Sequence, residues 1–402
     1  MRIVVVNNFF PPRPGGSSHL SESLAIEYAR EGNEVLVLTA GYKNTPAKEE
    51  RDGLTIIRIP SWRLPKNPLS ANFDIAFTIS PRVKKRVFSV LDSFKPDIIH
   101  QHGQFFDLTW ISGWWARKHS VPTVLSIHTR LYSPKAINNT IFKVADAILV
   151  KPLMRLHKPR LVVMDELMDK YIDKRYSGAH RAKSYIPVGI DPNALRGGNA
   201  QKGFERMGLS PDVPIILSIG HVIPQRSRVA LMEALPQILQ HYPDLKVVIV
   251  GGLHDKKFLH KAEALGVTHA VLTLGAQPKS EIPDYLAASK MEIHELEGQG
   301  FGTASLEALA AGVPVVACVH THNFVEVILE DRKHLFITPF VNGSQVKADP
   351  KKLADTVIEV LRLSDEAHLA LSRASQKLIE ENFTIHNVSK QHLEAFHQDL
   401  SS

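Results

Sequence analysis

The sequence has little of what marks a secreted, disulfide-bonded or membrane-spanning protein. Its 402 residues include one cysteine, Cys318, in the apolar run VPVVAC. A single cysteine excludes an internal disulfide and a cysteine metal cluster, and is typical of a reducing compartment. No apolar run reaches the 18 residues of a membrane span, and the first residues, MRIVVVNNFF, lack a basic leader. These absences predict a cytoplasmic protein.

Motifs for nucleic acid and metal are also missing. The sequence has no zinc-finger spacing and no RNP-like aromatic pattern. Its 20 histidines invite a metal interpretation, but the closest pair, in HTH at 320–322, has no carboxylate or cysteine spacing to complete a site. We therefore expect no bound metal and no nucleic-acid partner.

Positive charge is concentrated in one segment. The net charge is +7, and residues 117–183 hold 14 lysines and arginines against 5 acidic residues. Such a patch suits an anionic membrane or a phosphorylated substrate. A solvated basic face without a partner explains it equally well.

Apolar strand-like runs alternate with amphipathic helical stretches along the whole chain. Fully apolar strands separated by helices predict parallel sheets covered on both faces, and two such series predict two doubly wound α/β domains. Gly, Asn and Pro gather at 188–203. We place the domains at 1–190 and 191–384, with a C-terminal helix at about 385–402 that packs back on the first.

The first loop after a strand, NNFFPPRPGGSSHLSESLA, places Gly15 and Gly16 before a helix. Paired glycines let a ligand approach the backbone, and a helix N-terminus offers N–H donors to an anion. The spacing is not the dinucleotide fingerprint G-x-G-x-x-G. A plain turn with a serine cap is the alternative.

A second loop, SIGHVIPQRSRVALMEAL, follows a strand in the second half. It brings His221, Arg226 and Arg228 to the carboxyl end of that strand. An arginine there suits the oxygens of a diphosphate, and Arg226 is the better candidate by its position in the loop. Arginines at a solvated helix start are the alternative.

The third loop lies in MEIHELEGQGFGTASLEALAAGVPVVA. Its glycines lead to a helix start that suits an anion, with Thr303 or Ser305 as the expected cap. Glu307, one turn inside, suits two vicinal hydroxyls such as those of a ribose, because a carboxylate accepts two hydrogen bonds. A glutamate that only compensates the helix dipole is the alternative.

Six blocks in order resemble those of the GT-B retaining glycosyltransferases of family GT4. They are PPRPGGSSHLSESLA, PDIIHQHG, PTVLSIH, IPVGIDP, ILSIGHVIPQR and GQGFGTASLEALAAGVPVVA. The resemblance covers essentially the whole chain and implies two Rossmann-like domains facing across a cleft. It implies transfer of a hexose from a nucleotide-diphosphate sugar to an acceptor, with retention of configuration and without a metal or other cofactor.

The resemblance also assigns residues. The acceptor belongs to the N-terminal domain and the nucleotide sugar to the C-terminal one. Glu307 matches the second glutamate of the family's E-x7-E motif, which holds the donor ribose. His128, at the end of VLSIH, matches a histidine near the reacting carbon, unless it is a packed loop histidine. The residues expected at the diphosphate are Gly15, Gly16, His221, Arg226, Phe301, Gly302 and Thr303.

Three positions depart from the family pattern. The first glutamate of E-x7-E falls on Gln299, whose amide holds a sugar hydroxyl but cannot balance positive charge, so Glu297 or Glu295 is expected to supply that charge. His221 stands where the family usually has an arginine, and histidine binds phosphate well only when it is protonated. Arg226 stands where the family usually has a lysine.

The helix expected at Pro81–Phe94 combines an apolar stripe with a basic run, Arg82–Arg86. This combination suits peripheral contact with an anionic membrane. An ordinary core-facing helix with a solvated basic face is the alternative.

Two other functions stay open. One is a catalytically lapsed relative that binds a sugar nucleotide or a lipid, which Gln299 and His221 motivate. The other is a GT-B epimerase or phosphorylase. An epimerase would convert a donor without an acceptor, and a phosphorylase would usually need a pyridoxal lysine, for which the sequence has no local pattern.

Overall fold

The computed structural model describes residues 1–13, 15–63, 76–78, 81–131, 136–298, 300–342, 344 and 346–401. The chain divides into two compact units. Unit 1 comprises Met1–Gly189 and Ile385–Ser402, and unit 2 comprises Ile190–Thr384. Each unit is an α/β structure built on its own parallel sheet, as the alternation of strands and helices predicts.

The described part of unit 1 contains an eight-stranded sheet in the order β10-β9-β8-β7-β1-β2-β4-β3. Its neighbouring strands are parallel except at the edge pair of β3 and β4. A short antiparallel pair, β5 with β6, is separate. The strands are β1 Arg2–Asn7, β2 Glu34–Ala40, β3 Lys48–Arg51, β4 Leu54–Ile59, β5 Trp62–Arg63, β6 Ala76–Phe77, β7 Ile98–His102, β8 Thr123–Ser126, β9 Arg160–Val163 and β10 Ala182–Tyr185.

Helices cover this sheet, and the last helix of the chain is one of them. The side chains of Val388 and Phe396 belong to the same core as Leu24 and Tyr28 of the first helix. A π-helical turn, Asp146–Val150, joins two of the helices. The helices of unit 1 are α1 Gly16–Arg30, α2 Pro81–Phe94, α3 Asp107–Lys118, α4 Ala136–Ala145, α5 Lys151–His157, α6 Glu166–Tyr176 and α14 Ile385–Leu400.

Unit 2 has a parallel sheet in the order β13-β12-β11-β14, which a bridge between Glu292 and Val315 extends towards the pair β15-β16. Its strands are β11 Ile215–Ile219, β12 Lys246–Val250, β13 Val271–Gly275, β14 Met291–Glu292, β15 Val316–Ala317 and β16 Phe336–Ile337. Its helices are α7 Ala200–Met207, α8 Val229–His241, α9 Lys257–Ala264, α10 Ile282–Ala287, α11 Thr303–Ala311, α12 Pro350–Leu361 and α13 Asp365–Asn382.

The central strands are buried on both faces. Ile3, Val4, Val5 and Val6 of β1 are fully inaccessible, because alternate residues of the strand point into two different cores. The two faces of β11 are likewise divided between two cores in unit 2. Burial of both faces explains why these strands are continuous apolar runs in the sequence.

In each unit the order of the strands changes direction at the first strand of the sheet. In unit 1, β1 lies between β7 and β2, and in unit 2, β11 lies between β14 and β12. The loops that leave the carboxyl ends of such neighbouring strands open a crevice that commonly binds ligands in doubly wound sheets. These loops are those that the sequence analysis selected.

Helix α2 runs from Pro81 to Phe94, as predicted. Ser80, which the sequence suggests as its N-cap, lies outside the described residues. Its apolar stripe is buried against the sheet, so the helix turns its basic run outward. The stripe is Val83, Val87, Leu91 and Phe94. The helix therefore faces the core, so its basic side chains are exposed at the surface and its apolar stripe is not. No helix in the described part of the chain is both long and apolar enough to cross a membrane.

Candidate functional site

The loop after β11 is fixed by a buried arginine. Arg228 is fully inaccessible, donates from Nε to Ser218 Oγ at 2.7 Å, and donates from Nη1 to the carbonyl oxygen of Arg226 at 2.9 Å. Gly220 turns the chain with φ 131°, a conformation that favours glycine. Arg228 therefore supports the loop from inside, and the partly exposed Arg226 is the arginine that a ligand can reach.

Arg226 lies at the end of a chain of buried charged groups. Its Nη2 is 3.3 Å from Glu295 Oε1, and the same oxygen is 2.8 Å from His294 Nε2. The other ring nitrogen, His294 Nδ1, is 2.5 Å from Glu292 Oε1. Ser305 Oγ donates to Glu292 Oε2 at 2.9 Å. Two carboxylates thus hold an imidazole between them, and one of the two also faces Arg226.

The charges of these side chains stabilise one another. Burial alone would lower the pKa of His294, but Glu292 and Glu295 on either side raise it to about 9. Burial would likewise raise the pKa of Glu295, yet Arg226 and His294 hold it at about 2. His294 is therefore an imidazolium near pH 7 that donates from Nδ1 to Glu292 and forms an ion pair with Glu295 through Nε2, and Glu295 is ionised.

The turn before α11 packs directly on this chain of charges. A Cβ at position 302 would come within 2.3 Å of Glu295 Oε1 and 3.0 Å of His294 Nε2, so only glycine fits there without displacement. Gly298 and Gly300 have φ 59° and 96°, which also favour glycine. The glycines of this loop are thus required by close approach and by backbone conformation.

Helix α11 begins without the side-chain cap that the sequence suggested. Gly302 is its N-cap, and no side chain among the described residues accepts a hydrogen bond from the first turn. Ser305 does not cap the helix because its hydroxyl donates to Glu292, and Thr303 is already the first helical residue. The N–H groups of this turn are therefore available to an anion.

Glu307 lies one turn into α11 beside a lysine. Its side chain is mostly buried, and its Oε1 is 3.7 Å from Lys279 Nζ. Burial raises the pKa of Glu307, and Lys279 offsets part of that rise. A buried carboxylate with one distant cation has accepting capacity left for hydroxyl groups.

Glu297, expected near the sugar, accepts hydrogen bonds from the loop before α8. The backbone N–H and the hydroxyl of Ser227 donate to Glu297 Oε1 at 3.1 and 2.9 Å. Burial raises the pKa of Glu297, and Ser227 partly offsets the rise. Glu297 thus ties the loop before α8 to the loop after β14. Gln299 lies outside the described residues.

His221 supplies little charge to the site. Its ring centroid is 5.3 Å from that of His254, and burial together with His254 lowers the pKa of His221. The ring is therefore mostly neutral near pH 7. It can donate one hydrogen bond to an anion, but it does not replace the charge of an arginine.

In unit 1, the glycine turn also leads to an uncapped helix. Gly15 is the N-cap of α1 with φ 150°, and no side chain of the described residues caps that helix. The hydroxyl of Ser18 donates instead to the carbonyl oxygen of Arg13 at 2.6 Å. A Cβ added to Gly16 would have no heavy atom within 4 Å. The serine cap of the alternative interpretation is absent from this part of the structure.

His128 belongs to a cluster of histidines at the carboxyl end of the sheet of unit 1. Its Nε2 is 2.8 Å from His102 Nδ1, and the two rings are nearly parallel. Ring centroids of His100 and His102 are 4.2 Å apart, and those of His100 and His392 are 4.7 Å apart. Burial lowers the pKa of His128 to about 4 and is the main cause that lowers that of His392 to about 3. His128 is therefore neutral near pH 7, and His102 orients its ring.

The structure thus brings Arg226 and the turn at Phe301, Gly302 and Thr303 together around Glu295. It also reveals residues that the sequence analysis did not select, notably Glu292, His294 and His102. Their signal was present as polar residues spaced by two at strand ends, in MEIHE and HQH, but such spacing does not show what they contact. In the described residues, no three His, Cys, Asp or Glu side chains are grouped to hold a metal ion.

Two family models match the chain. Residues 15–168 match "Glycosyl transferase 4-like domain" and residues 200–378 match "Glycosyl transferases group 1". The D-inositol 3-phosphate glycosyltransferase of Segniliparus rotundus is 24% identical over 56% of this chain, which spans about half (51%) of that relative. The alpha-monoglucosyldiacylglycerol synthase of Acholeplasma laidlawii is 23% identical over 83% of this chain and 84% of its own.

Solved structures agree on the fold. Anabaena Alr3699/HepE in complex with UDP and glucose has a TM-score of 0.70 and 18% sequence identity, over 99% of this chain and 100% of that one. At this identity the likeness concerns the fold, which is GT-B, as the sequence predicts.

Proposed function

Because the chain belongs to the group 1 glycosyltransferases, we propose that it moves a hexose from a nucleotide-diphosphate sugar to an acceptor, with retention of the anomeric configuration. One observation supports the donor assignment above the others. In unit 2, the uncapped start of α11 and Arg226 both adjoin Glu295, at the carboxyl ends of neighbouring strands.

The diphosphate would be bound by backbone donors and one arginine. The N–H groups at Gly302 and Thr303 start a helix, where the helix dipole favours an anion. Arg226 adds a cation whose fork matches phosphate oxygens. When Arg226 turns to phosphate, Glu295 remains paired with His294 at 2.8 Å, so no buried carboxylate is left without a positive partner. His221 contributes a hydrogen bond.

In unit 1, we propose that the turn at Gly15 and Gly16 also binds phosphate oxygens. The supporting observations are the uncapped start of α1 and the open space above Gly16. A helix start with orphan N–H groups binds anions through its donors and dipole.

The ribose would be held by Glu307. Two vicinal hydroxyls donate to one carboxylate, and Lys279, 3.7 Å away, helps to keep the carboxylate ionised. The hexose contacts fall to His128 and Gln299 by the family resemblance. His128 would act as a neutral hydrogen-bonding group, since burial lowers its pKa to about 4. Glu297 is then a residue that holds the loop before α8, through Ser227.

Cations of the protein, without a metal ion, would neutralise the leaving diphosphate. The acceptor would be a hydroxyl compound. The relatives' names mention inositol 3-phosphate and a glucosyl diacylglycerol, so both a small polar alcohol and a lipid alcohol belong in an acceptor screen.

The direct test incubates the protein with UDP-, GDP-, ADP- and dTDP-sugars in the presence and absence of acceptors and of a chelator. We expect release of one nucleoside diphosphate that rises with an acceptor and persists with the chelator. Absence of nucleotide release with every donor would contradict glycosyl transfer. Conversion of the donor into another sugar nucleotide without an acceptor would indicate an epimerase.

A lapsed enzyme that binds a donor without turnover is the second candidate. The observation that favours it is the neutral His221 at a position where the family has an arginine, since burial lowers its pKa. Donor binding combined with no nucleotide release under all acceptor conditions would select this candidate.

A further inference from the structure

A ridge of apolar side chains projects from unit 1 between α3 and α6 in the sequence. Ile137, Ile141, Val144 and Ile148, called the apolar ridge below, are all exposed, with 76% of Ile137 and 73% of Ile148 accessible. Their spacings of four, three and four residues place them on one side of a helix. Leu149 and Leu156, later in the same helical segment, are also exposed.

The C-terminal part of this helical segment, from Asp146 onward, is anchored in the protein. Asp146, in the π-helical turn, accepts hydrogen bonds from Tyr171 Oη at 2.9 Å and Tyr176 Oη at 2.5 Å. Val150 and Met154 are fully buried in the core. The segment is therefore held through its C-terminal part, and the apolar ridge lies on its exposed surface. Exposed apolar side chains grouped in this way mark an interaction surface.

Positive charge predominates in the stretch of sequence that contains the ridge. Between Arg117 and Lys158 the sequence has eight lysines and arginines against one acidic residue, the buried Asp146. Among those that the structure describes, the exposed members are Arg117, Lys118, Lys143, Arg155 and Lys158. Such a surface attracts an anionic layer, and long basic side chains can lie along apolar groups while their charges reach the headgroups.

The basic run of α2 is continuous with this surface through Trp114. Lys84 Nζ lies 5.4 Å from the centroid of the Trp114 ring, which is 38% exposed. Arg117 Nη1, on the same helix as Trp114, donates to the carbonyl oxygen of Leu156 at 3.1 Å. The sequence analysis placed a membrane contact on α2 alone. The structure assigns the charge to α2 and the apolar contact to the ridge.

We propose that the apolar ridge, Trp114 and the surrounding lysines and arginines form a docking face for an anionic lipid bilayer. Apolar side chains would enter the boundary between headgroups and acyl chains, as they do in interfacial helices. A second copy of the chain is the less favourable occupant, because two copies of this face would bring like charges together. The inference does not depend on the identity of the sugar donor or on turnover.

The test is flotation of the full chain with vesicles of phosphatidylcholine, alone or with roughly a third phosphatidylglycerol, at low and high salt. We expect binding to the anionic vesicles that weakens at high salt. The double variant Ile141→Glu/Ile148→Glu should bind about tenfold or more weakly, since two apolar insertions are replaced by charges. The matched control, Ile328→Glu/Leu369→Glu, changes two isoleucine or leucine side chains of similar exposure in unit 2 and should bind as the parent does.

Equal binding by the ridge variant and the parent, or no binding of the parent to anionic vesicles, would overturn the proposal. Thermal melts should be the same for all variants, because the substituted side chains are exposed. Light scattering without lipid measures the oligomeric state and so tests whether a second copy of the chain covers the ridge. A parent dimer that becomes a monomer in the ridge variant would show that the ridge is an interface between copies, and would also overturn the proposal.

Discussion

The guanidinium of Arg226 lies 3.3 Å from the carboxylate of Glu295, and this pair adjoins the glycine turn that begins α11. Glu295 does not depend on Arg226 alone, because His294 holds it from the other side at 2.8 Å. If Arg226 turns to a phosphate, as proposed, Glu295 keeps His294 as its positive partner.

Replacing Arg226 by glutamine should weaken binding of the cognate nucleoside diphosphate by roughly 1.5–3 kcal/mol, the range for a charged hydrogen bond. Isothermal titration calorimetry with the nucleoside diphosphate measures this change in affinity. Arg332→Gln is the matched control, since Arg332 is exposed and pairs with Glu359 in the same unit. Equal affinities of the two variants would show that Arg226 does not bind the phosphate.

Replacing Glu307 by alanine should weaken the nucleoside diphosphate by a similar 1.5–3 kcal/mol, because the ribose hydroxyls lose a charged acceptor. The corresponding 2′,3′-dideoxynucleotide should bind the parent and the variant alike, since it lacks those hydroxyls. Glu263→Ala, at an exposed glutamate of the same unit, is the control. If the Glu307→Ala variant loses as much affinity for the dideoxynucleotide as for the nucleoside diphosphate, Glu307 does not bind the ribose hydroxyls.

The two glycines of the first turn should respond differently to alanine. Gly15 has φ 150°, so Gly15→Ala strains the backbone and should lower the melting temperature. Gly16→Ala has open space around its methyl group and should leave stability within about 0.5 kcal/mol, as surface substitutions do. If phosphate approaches this backbone, Gly16→Ala should still lower turnover. Unchanged turnover in a stable Gly16→Ala protein would count against the phosphate role.

The stability of unit 2 should fall at high pH through His294. Its folded pKa, about 9, lies above the ordinary 6.5, so its stabilising effect is complete below pH 6.5 and lost as the pH rises through 9. All four tryptophans lie in unit 1, so their fluorescence reports that unit while far-UV circular dichroism reports both. Urea unfolding at pH 6.5 and 9.5 should shift the transition seen by circular dichroism and not by fluorescence. His294→Gln should remove that shift, and its persistence there would assign it to other groups.

Much of the fold could be predicted because buried parallel strands are continuous apolar runs. RIVVV and VPIILSIG predict β1 and β11, and the glycines that follow them mark the loops at the carboxyl ends. The segment 136–176 is harder to predict from the sequence. Its helices expose isoleucines on one side and bury Asp146 on the other, which obscures the usual amphipathic pattern.

The candidate site could be predicted only at the level of its loops. The sequence shows His294 and Glu295 beside each other, but their contacts depend on how the loops after β11 and β14 come together. The same holds for His128, which meets His102 because β7 and β8 are neighbouring strands. Such contacts join residues far apart in sequence, and short motifs do not specify them.

The most direct test of the donor assignment is a thermal-shift panel of UDP, GDP, ADP and dTDP with the parent protein and the Glu307→Ala variant. A ligand at about 100 times its dissociation constant stabilises the folded state by roughly 2.7 kcal/mol, which should raise the melting midpoint by a few degrees. We predict that one base raises the midpoint of the parent and has a smaller effect on the variant. No shift of the parent with any of the four nucleotides at saturating concentrations would contradict a nucleotide-sugar site in this protein.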